Sequence, residues 1–168
     1  MEYIRKEEST RKVMMGRYKT ASAPDKMETI ALGSCVGITL YDKKEKVGAL
    51  AHVMLPSWKR VANNENRERF ADSVIELMVK DLSDSGAGIQ DLTAKIFGGA
   101  RMFGHITGSK GAFNIGDSNV TAVRNELARV GVPIAVERVG GCKGRTITFD
   151  LSDGSVMVRD SNGNEEIT

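Results

Sequence analysis

Two residue types able to act as nucleophile and base are rare in this 168-residue sequence, which has two cysteines, Cys35 and Cys142, and two histidines, His52 and His105. Cys35 and His52 fall on either side of a predicted hairpin. Thr39-Leu40-Tyr41 and Val47-Gly48-Ala49 flank the charged stretch Asp42-Lys43-Lys44-Glu45-Lys46, so strands over 36–41 and 47–55 should pair antiparallel. With Tyr41 paired to Lys46 across a four-residue loop, Cys35 lies directly opposite His52, their Cβ atoms about 5 Å apart. A thiol and an imidazole that close can share a proton, which lowers the thiol pKa and supplies a thiolate at neutral pH. A slip of one residue would put them on opposite faces.

The neighbours Gly33, Ser34 and Gly37 are small and let another molecule approach the sulfur closely. A base of this kind needs a hydrogen-bond partner that fixes its tautomer. Thr29 and Ser34 are the local hydroxyls, while Asp42 lies further down the hairpin. The same pattern also fits an inert core cysteine beside an unrelated histidine. Cys142, among Gly140, Gly141, Lys143 and Gly144, is a second thiol whose basic neighbours favour the thiolate, but no histidine is predicted near it. His105 is a reserve base in a loop.

The elements that must position these groups follow from the apolar pattern. Residues 1–12 read as a loose, charged arm, with order beginning near Val13. From 13 to 55 the apolar residues come in short bursts broken by Gly, Ser, Pro and charges, which is strand and turn punctuation. Between 64 and 82 the period lengthens, with Phe70, Val74, Leu77, Met78 and Leu82 on one face of a helix that ends at Gly86 or Gly88. A strand over 92–97 runs into Gly98-Gly99, and 100–115 reads as a long structured loop. The glycine pair lacks the spacing of a phosphate-binding loop and suits a sharp turn near the site.

A second helix is capped by Asp117 or Ser118, carries Val120, Val123, Leu127 and Val130 on one face, and stops at Gly131. Strands at 133–139, 145–151 and 155–159 follow. The order does not alternate βαβα, so an α+β arrangement of a mixed sheet, or two packed sheets, under two helices is expected.

Lys and Arg number 24 against 22 Asp and Glu, mixed along the chain, which gives no reason to expect nucleic acid or an anionic membrane as partner. The apolar runs are strand-sized, far below the ~20 residues of a membrane span, and the start lacks a signal-peptide core. A cytosolic protein with free thiols is expected, and neither CxxC nor HExxH spacing calls for a metal. Lys59-Arg60, Arg67 and Arg69 give local positive charge, either a solvated face or a means of attracting acidic helices. Phe97, Met102 and Phe103 suit either a core or an apolar contact surface.

Leu32-Gly33-Ser34-Cys35-Val36-Gly37, followed by Leu40-Tyr41-Asp42 and His52-Val53-Met54-Leu55-Pro56, resembles the CheD family of chemoreceptor glutamine deamidases in bacterial and archaeal chemotaxis. Lys95-Ile96-Phe97-Gly98-Gly99-Ala100 with Met102-Phe103, Ile115-Gly116 with Asn119-Val120, and Gly140-Gly141 with Gly144-Arg145 extend the likeness, in order, over about 15–158. The resemblance implies a single domain over 13–168, folded as a three-layer α/β/β sandwich related to deamidating toxin domains. It implies Cys35 as nucleophile, His52 as general base and acid, and Thr29 as the residue that orients His52. Gly33 and Ser34 would border the oxyanion, Phe97 and Phe103 would touch substrate, and no cofactor or metal is called for.

The substrate implied is a glutamine on a receptor cytoplasmic helix, with glutamate methyl esters as a further substrate in some members. A CheC phosphatase is the implied partner of a chain that is monomeric when free. Two other readings remain open at this point: a regulatory binding module that controls a CheC-type phosphatase, and a thiol hydrolase of free metabolites.

Overall fold

The hairpin that sets the relation between Cys35 and His52 sits at the centre of the molecule. A computed structural model describes residues 7–60, 66–102 and 114–168. In chain order the strands are β1 (Thr10–Lys12), β2 (Tyr18–Ser22), β3 (Lys26–Leu32), β4 (Val36–Asp42) and β5 (Val47–Val53), then β6 (Leu92–Gly98), β7 (Ile134–Val139), β8 (Arg145–Asp150), β9 (Val156–Asp160) and β10 (Glu165–Ile167). Helix α1 (Ala71–Asp84) lies between β5 and β6, and α2 (Ile115–Val130) between β6 and β7.

The strands form two mixed sheets, one ordered β1-β3-β8-β9-β10 and the other β2-β5-β4-β6-β7. In each, one edge pairing is parallel, β1 with β3 and β6 with β7, and the rest are antiparallel. The fold is thus α+β, with two mixed sheets and, among the described residues, two α-helices.

Two cores explain the layering. Val36, Ile38 and Leu40 of β4 and Ala49, Ala51 and Val53 of β5 pack with Val74, Ile75, Met78 and Leu82 of α1 and Val120, Val123 and Leu127 of α2. On the other side of the same sheet Tyr41, Leu50 and Phe97 meet Met27, Leu32, Ile147 and Phe149 of the first sheet. Strand β4 is covered on both faces and all seven of its residues are buried, which is why it reads as an almost unbroken apolar run. Successive side chains of a strand alternate between faces, so His52, two residues from Leu50, points with it toward the first sheet.

The hairpin turns one residue later than the sequence suggests: Asp42 pairs with Val47, and Gly37, not Cys35, stands opposite His52. The cause is Asp42, whose Oδ1 accepts from the amides of Lys44 and Glu45 and so closes the turn over 43–46. The register shift is two residues, which preserves the face. Cys35 becomes a diagonal neighbour of His52 across the strand pair, at a spacing of about 7–8 Å for such positions.

Other boundaries move for local reasons. Thr10–Lys12, read as part of a loose arm, form a parallel edge strand on β3. The cap of α2 is Asn114, whose side chain accepts from the Asp117 amide, rather than Asp117 or Ser118. The end at Gly131 holds, with φ +80°. On α1, Ile75 is buried where Leu77 was expected, leaving Leu77 half-buried. No helix of the described residues is long and apolar enough to cross a membrane.

Gly37 is required by the approach of the two sheets. A Cβ there would stand 2.9 Å from both Ile147 Cδ1 and Leu32 Cδ1. Gly37→Ala is expected to destabilise the protein by about 1–3 kcal/mol, the usual cost of overpacking, measured by urea unfolding; unchanged stability would show that the sheets have slack at this point.

Candidate active site

His52 is the penultimate residue of β5, with its backbone tied to the segment before β2: its amide donates to Arg17 O at 3.0 Å, and its carbonyl accepts from the Gly16 amide at 2.9 Å. Its ring reaches across the gap between the sheets to Thr29 on β3, with Nδ1 at 2.7 Å from Thr29 Oγ1. The Thr29 hydroxyl donates to the Val13 carbonyl at 2.8 Å. A hydroxyl has one proton, and the Val13 carbonyl takes it, so the bond to His52 must be donated by Nδ1–H. That assignment leaves the proton on Nδ1 and a lone pair on Nε2, which has no hydrogen-bond partner among the described residues. Both side chains are buried, at 1% exposure each.

Cys35 lies on the turn from β3 into β4, half-buried at the margin of the core between the sheets. The turn begins with a bulge, where the pairing of β3 with β8 jumps from Thr29↔Ile147 to Leu32↔Arg145 and Ala31 adopts φ +58°. Bulges redirect side chains beside functional sites. Here Thr29 stays in the ladder, facing His52, while Ile30 is pushed to the surface.

The carbonyls of the three following residues are each held. Gly33 O accepts from the Ala100 amide at 2.8 Å and Cys35 O from the Gly99 amide at 2.8 Å. Ser34 O accepts from the side-chain amide of Asn119 at 3.0 Å. Gly98 and Gly99, at φ +97° and +62°, make the sharp turn expected of them, and a Cβ on Gly98 would collide with the Cys35 carbonyl oxygen.

Burial governs the electrostatics. It pushes the Cys35 thiol above its ordinary range and pulls the His52 imidazole down to about 4. No hydrogen bond joins Nε2 to the sulfur. The expected thiolate at neutral pH is therefore not the resting state: both groups are neutral, because each charged form would lose its hydration without a compensating partner. A neutral imidazole with a bare Nε2 can still remove the thiol proton as the sulfur attacks an electrophile.

The remaining predicted residues separate by burial. Phe97 has no exposed surface and belongs to the core between the sheets, so the expectation that it touches substrate is corrected. Its strand pairs it with Gly37 of β4. Phe103 and His105 lie outside the described residues, as does most of the loop over 100–115. Gly33 lies beneath Met102, whose Cγ would be 3.1 Å from a Cβ on that glycine.

Cys142 is exposed, in a loop tied to 98–101 by the Gly140 amide on Gly98 O and the Arg101 amide on Gly141 O. Arg67 stacks 4.7 Å from the Trp58 ring centroid and pairs with Glu76 at 3.7 Å. Lys59 and Arg60 are exposed. No group of three or more His, Cys, Asp or Glu among the described residues is placed to hold a metal.

A family model described as CheD chemotactic sensory transduction matches residues 54–160. The chain belongs to the CheD family. A relative from Clostridium kluyveri is 45% identical over 148 residues, 88% of this chain and 91% of its own length. One from Methanococcus maripaludis is 42% identical over 88% of this chain and 93% of its own. One from Thermococcus kodakarensis is 40% identical over 90% and 94% respectively. Each carries the name "Probable chemoreceptor glutamine deamidase CheD". The family model begins two residues after His52, but a 148-residue match in this chain has to include Thr29, Cys35, His52 and Asn119.

Asn119 is the residue whose part in the site sequence reasoning missed. It was visible only as one of the family-like positions, with nothing to show that a helix residue 84 positions beyond Cys35 would hydrogen-bond its turn.

The buried imidazole makes stability depend on pH. The unfolded chain protonates His52 near pH 6.5, the folded chain near 4. Its contribution is therefore fully present above about 6.5 and is lost as pH falls through about 4. Comparing wild type with His52→Gln, the wild type should lose roughly 3 kcal/mol more unfolding free energy between pH 7 and pH 4; parallel profiles would mean that His52 is not held neutral.

Proposed function

We propose that this chain hydrolyses the side-chain amide of glutamines on chemoreceptors, converting them to glutamate, with Cys35 as nucleophile, His52 as base and then acid, and Thr29 as the residue that orients His52. The observation that carries this reading is the chain of hydrogen bonds from His52 Nδ1 to Thr29 Oγ1 to Val13 O, which leaves the Nε2 lone pair without a partner among the described residues, on the residue diagonal to Cys35 across the strand pair. The relatives' printed name supplies the substrate class.

In the first step the sulfur attacks the glutamine side-chain carbonyl carbon as its proton passes to Nε2. The oxygen becomes an oxyanion, received by the backbone amides of Ser34 and Cys35, which take no part in the hydrogen bonds that anchor this turn. The imidazolium then protonates the amide nitrogen, the C–N bond breaks, ammonia leaves, and a thioester remains on Cys35. Water enters, gives a proton to Nε2 and attacks the thioester carbonyl. The C–S bond breaks, the thiolate recovers the proton, and a glutamate side chain is released. A glutamate methyl ester would follow the same path with methanol leaving.

Resting neutrality suits a buried site. The ion pair forms only as the substrate develops charge of its own, so no thiolate is stored in an apolar margin. Met14, Met15, Ile30 and Met102 are all exposed. Met14 and Met15 follow Val13, Ile30 follows Thr29, and Met102 covers Gly33. Exposed apolar side chains of this kind suit contact with the apolar face of an amphipathic receptor helix. Action on receptor cytoplasmic helices would be exercised in the cytoplasm. The two sheets and their helix layer support the relation to deamidating toxin domains that the resemblance implies.

The test is ammonia release from a receptor cytoplasmic fragment, with mass spectrometry to find the glutamate formed. Cys35→Ala is expected to abolish release, and Thr29→Val to lower kcat by about 10²–10⁴-fold, the range that a correctly held general base contributes. Release undiminished in Cys35→Ala would overturn the assignment. Turnover of free glutamine at the rate of the receptor fragment would move the substrate to a small metabolite.

A further inference from the structure

We propose that Asn119 is a positioning residue for this reaction, one that aims and polarises the peptide unit whose N–H receives the oxyanion. The inference rests on the reading of Cys35 as nucleophile.

Asn119 lies in the second turn of α2 and is completely buried. Its Nδ2 donates to two carbonyls at once, Ser34 O and Met54 O, both at 3.0 Å. Because both acceptors are carbonyls, the amide can face only one way, and with both hydrogens engaged it cannot rotate. One acceptor immediately precedes Cys35 and the other lies two residues beyond His52. A single side chain thus fastens the two segments that bear the proposed nucleophile and base.

The consequence for the oxyanion follows from peptide geometry. In a trans peptide the carbonyl and the N–H point in opposite directions. The carbonyl of Ser34 belongs to the same unit as the amide of Cys35, and the carbonyl of Gly33 to the same unit as the amide of Ser34. With Ser34 O drawn toward Asn119 and Gly33 O toward the Ala100 amide, the N–H groups of Cys35 and Ser34 are turned away from α2 and from 98–100. A carbonyl that accepts a hydrogen bond also polarises its unit, making the N–H a stronger donor.

The helix is fitted closely enough to hold this arrangement. A Cβ on Gly116 would stand 2.6 Å from the carbonyl oxygens of Gly99 and Ala100, and one on Gly99 would collide with Val120. The remaining oxygen of Asn119, Oδ1, is buried and has no hydrogen-bond partner among the described residues.

The experiment measures kcat and KM for ammonia release from the receptor fragment, together with the rate at which iodoacetamide alkylates Cys35, in a Cys142→Ser background. Alkylation needs the thiol but no oxyanion site. For Asn119→Ala we expect kcat per folded molecule, with the folded fraction taken from circular dichroism, to fall at least tenfold. KM and the alkylation rate should stay within threefold of wild type.

If Asn119→Ala does not fold at the assay temperature, Asn119→Leu, which keeps a similar volume and removes both donors without adding a charge, is judged by the same criterion. A kcat per folded molecule within threefold of wild type would overturn the proposal. So would an alkylation rate that falls in step with kcat, since the loss would then lie in the thiol and its base. Wild-type and Cys35→Ala controls separate this from the underlying reading: release that persists in Cys35→Ala removes the nucleophile and the proposal together, whatever Asn119 does.

Discussion

The hydrogen bond between Thr29 Oγ1 and His52 Nδ1, 2.7 Å long, joins one sheet of the sandwich to the other, and the proposed chemistry depends on it. It can form only where the sheets come close enough for a threonine on β3 to meet an imidazole on β5. Gly37, opposite His52, lacks the side chain that would hold the sheets apart. It carries directional information only because the Thr29 proton is already committed to Val13 O, which ties the tautomer of His52 to the chain segment before β2. Packing, backbone geometry and proton placement are thus set by one contact.

Burial makes the contact effective and also limits the site. Out of water, the imidazole is neutral and the thiol protonated at neutral pH, so the free protein does not hold the charged pair that a more exposed cysteine and histidine would form. The same low polarity strengthens any hydrogen bond offered to a developing oxyanion. The turn bearing Cys35 has its three carbonyls fixed from 98–100 and from α2. In the proposed reaction, a fixed turn beside a neutral thiol favours the charge of the transition state over charge in the resting protein.

Much of this was legible in the sequence, and the parts that were not have physical causes. The hairpin, both helices and the central strands announce themselves through apolar period, because β4 and β5 are buried on both faces and α1 and α2 on one. The pairing of Cys35 with His52 came out on the correct face but two residues out of register, since the choice between a turn at 42–45 and one at 43–46 rests on hydrogen bonds made by Asp42. Strands β2 and β10 went unread because Tyr-Lys-Thr-Ala-Ser and Glu-Glu-Ile carry no apolar alternation; they lie at sheet edges and are held by backbone pairing. Phe97 could not be told from a substrate contact, because exposure is a property of the second sheet and not of the local sequence. The Thr29 bond and the Asn119 clamp join residues far apart in the chain, and no spacing rule brings them together.

The most direct test of the account is the protonation of the His52 ring itself. In a His105→Gln variant labelled with ¹⁵N, His52 is the only histidine, and two-bond nitrogen–proton correlations distinguish the two neutral tautomers and the imidazolium. The ring is expected to be neutral at pH 7 with its proton on Nδ1 and a bare Nε2, and to lose that single-tautomer pattern in Thr29→Val. A proton resident on Nε2, or an imidazolium at neutral pH, would contradict it.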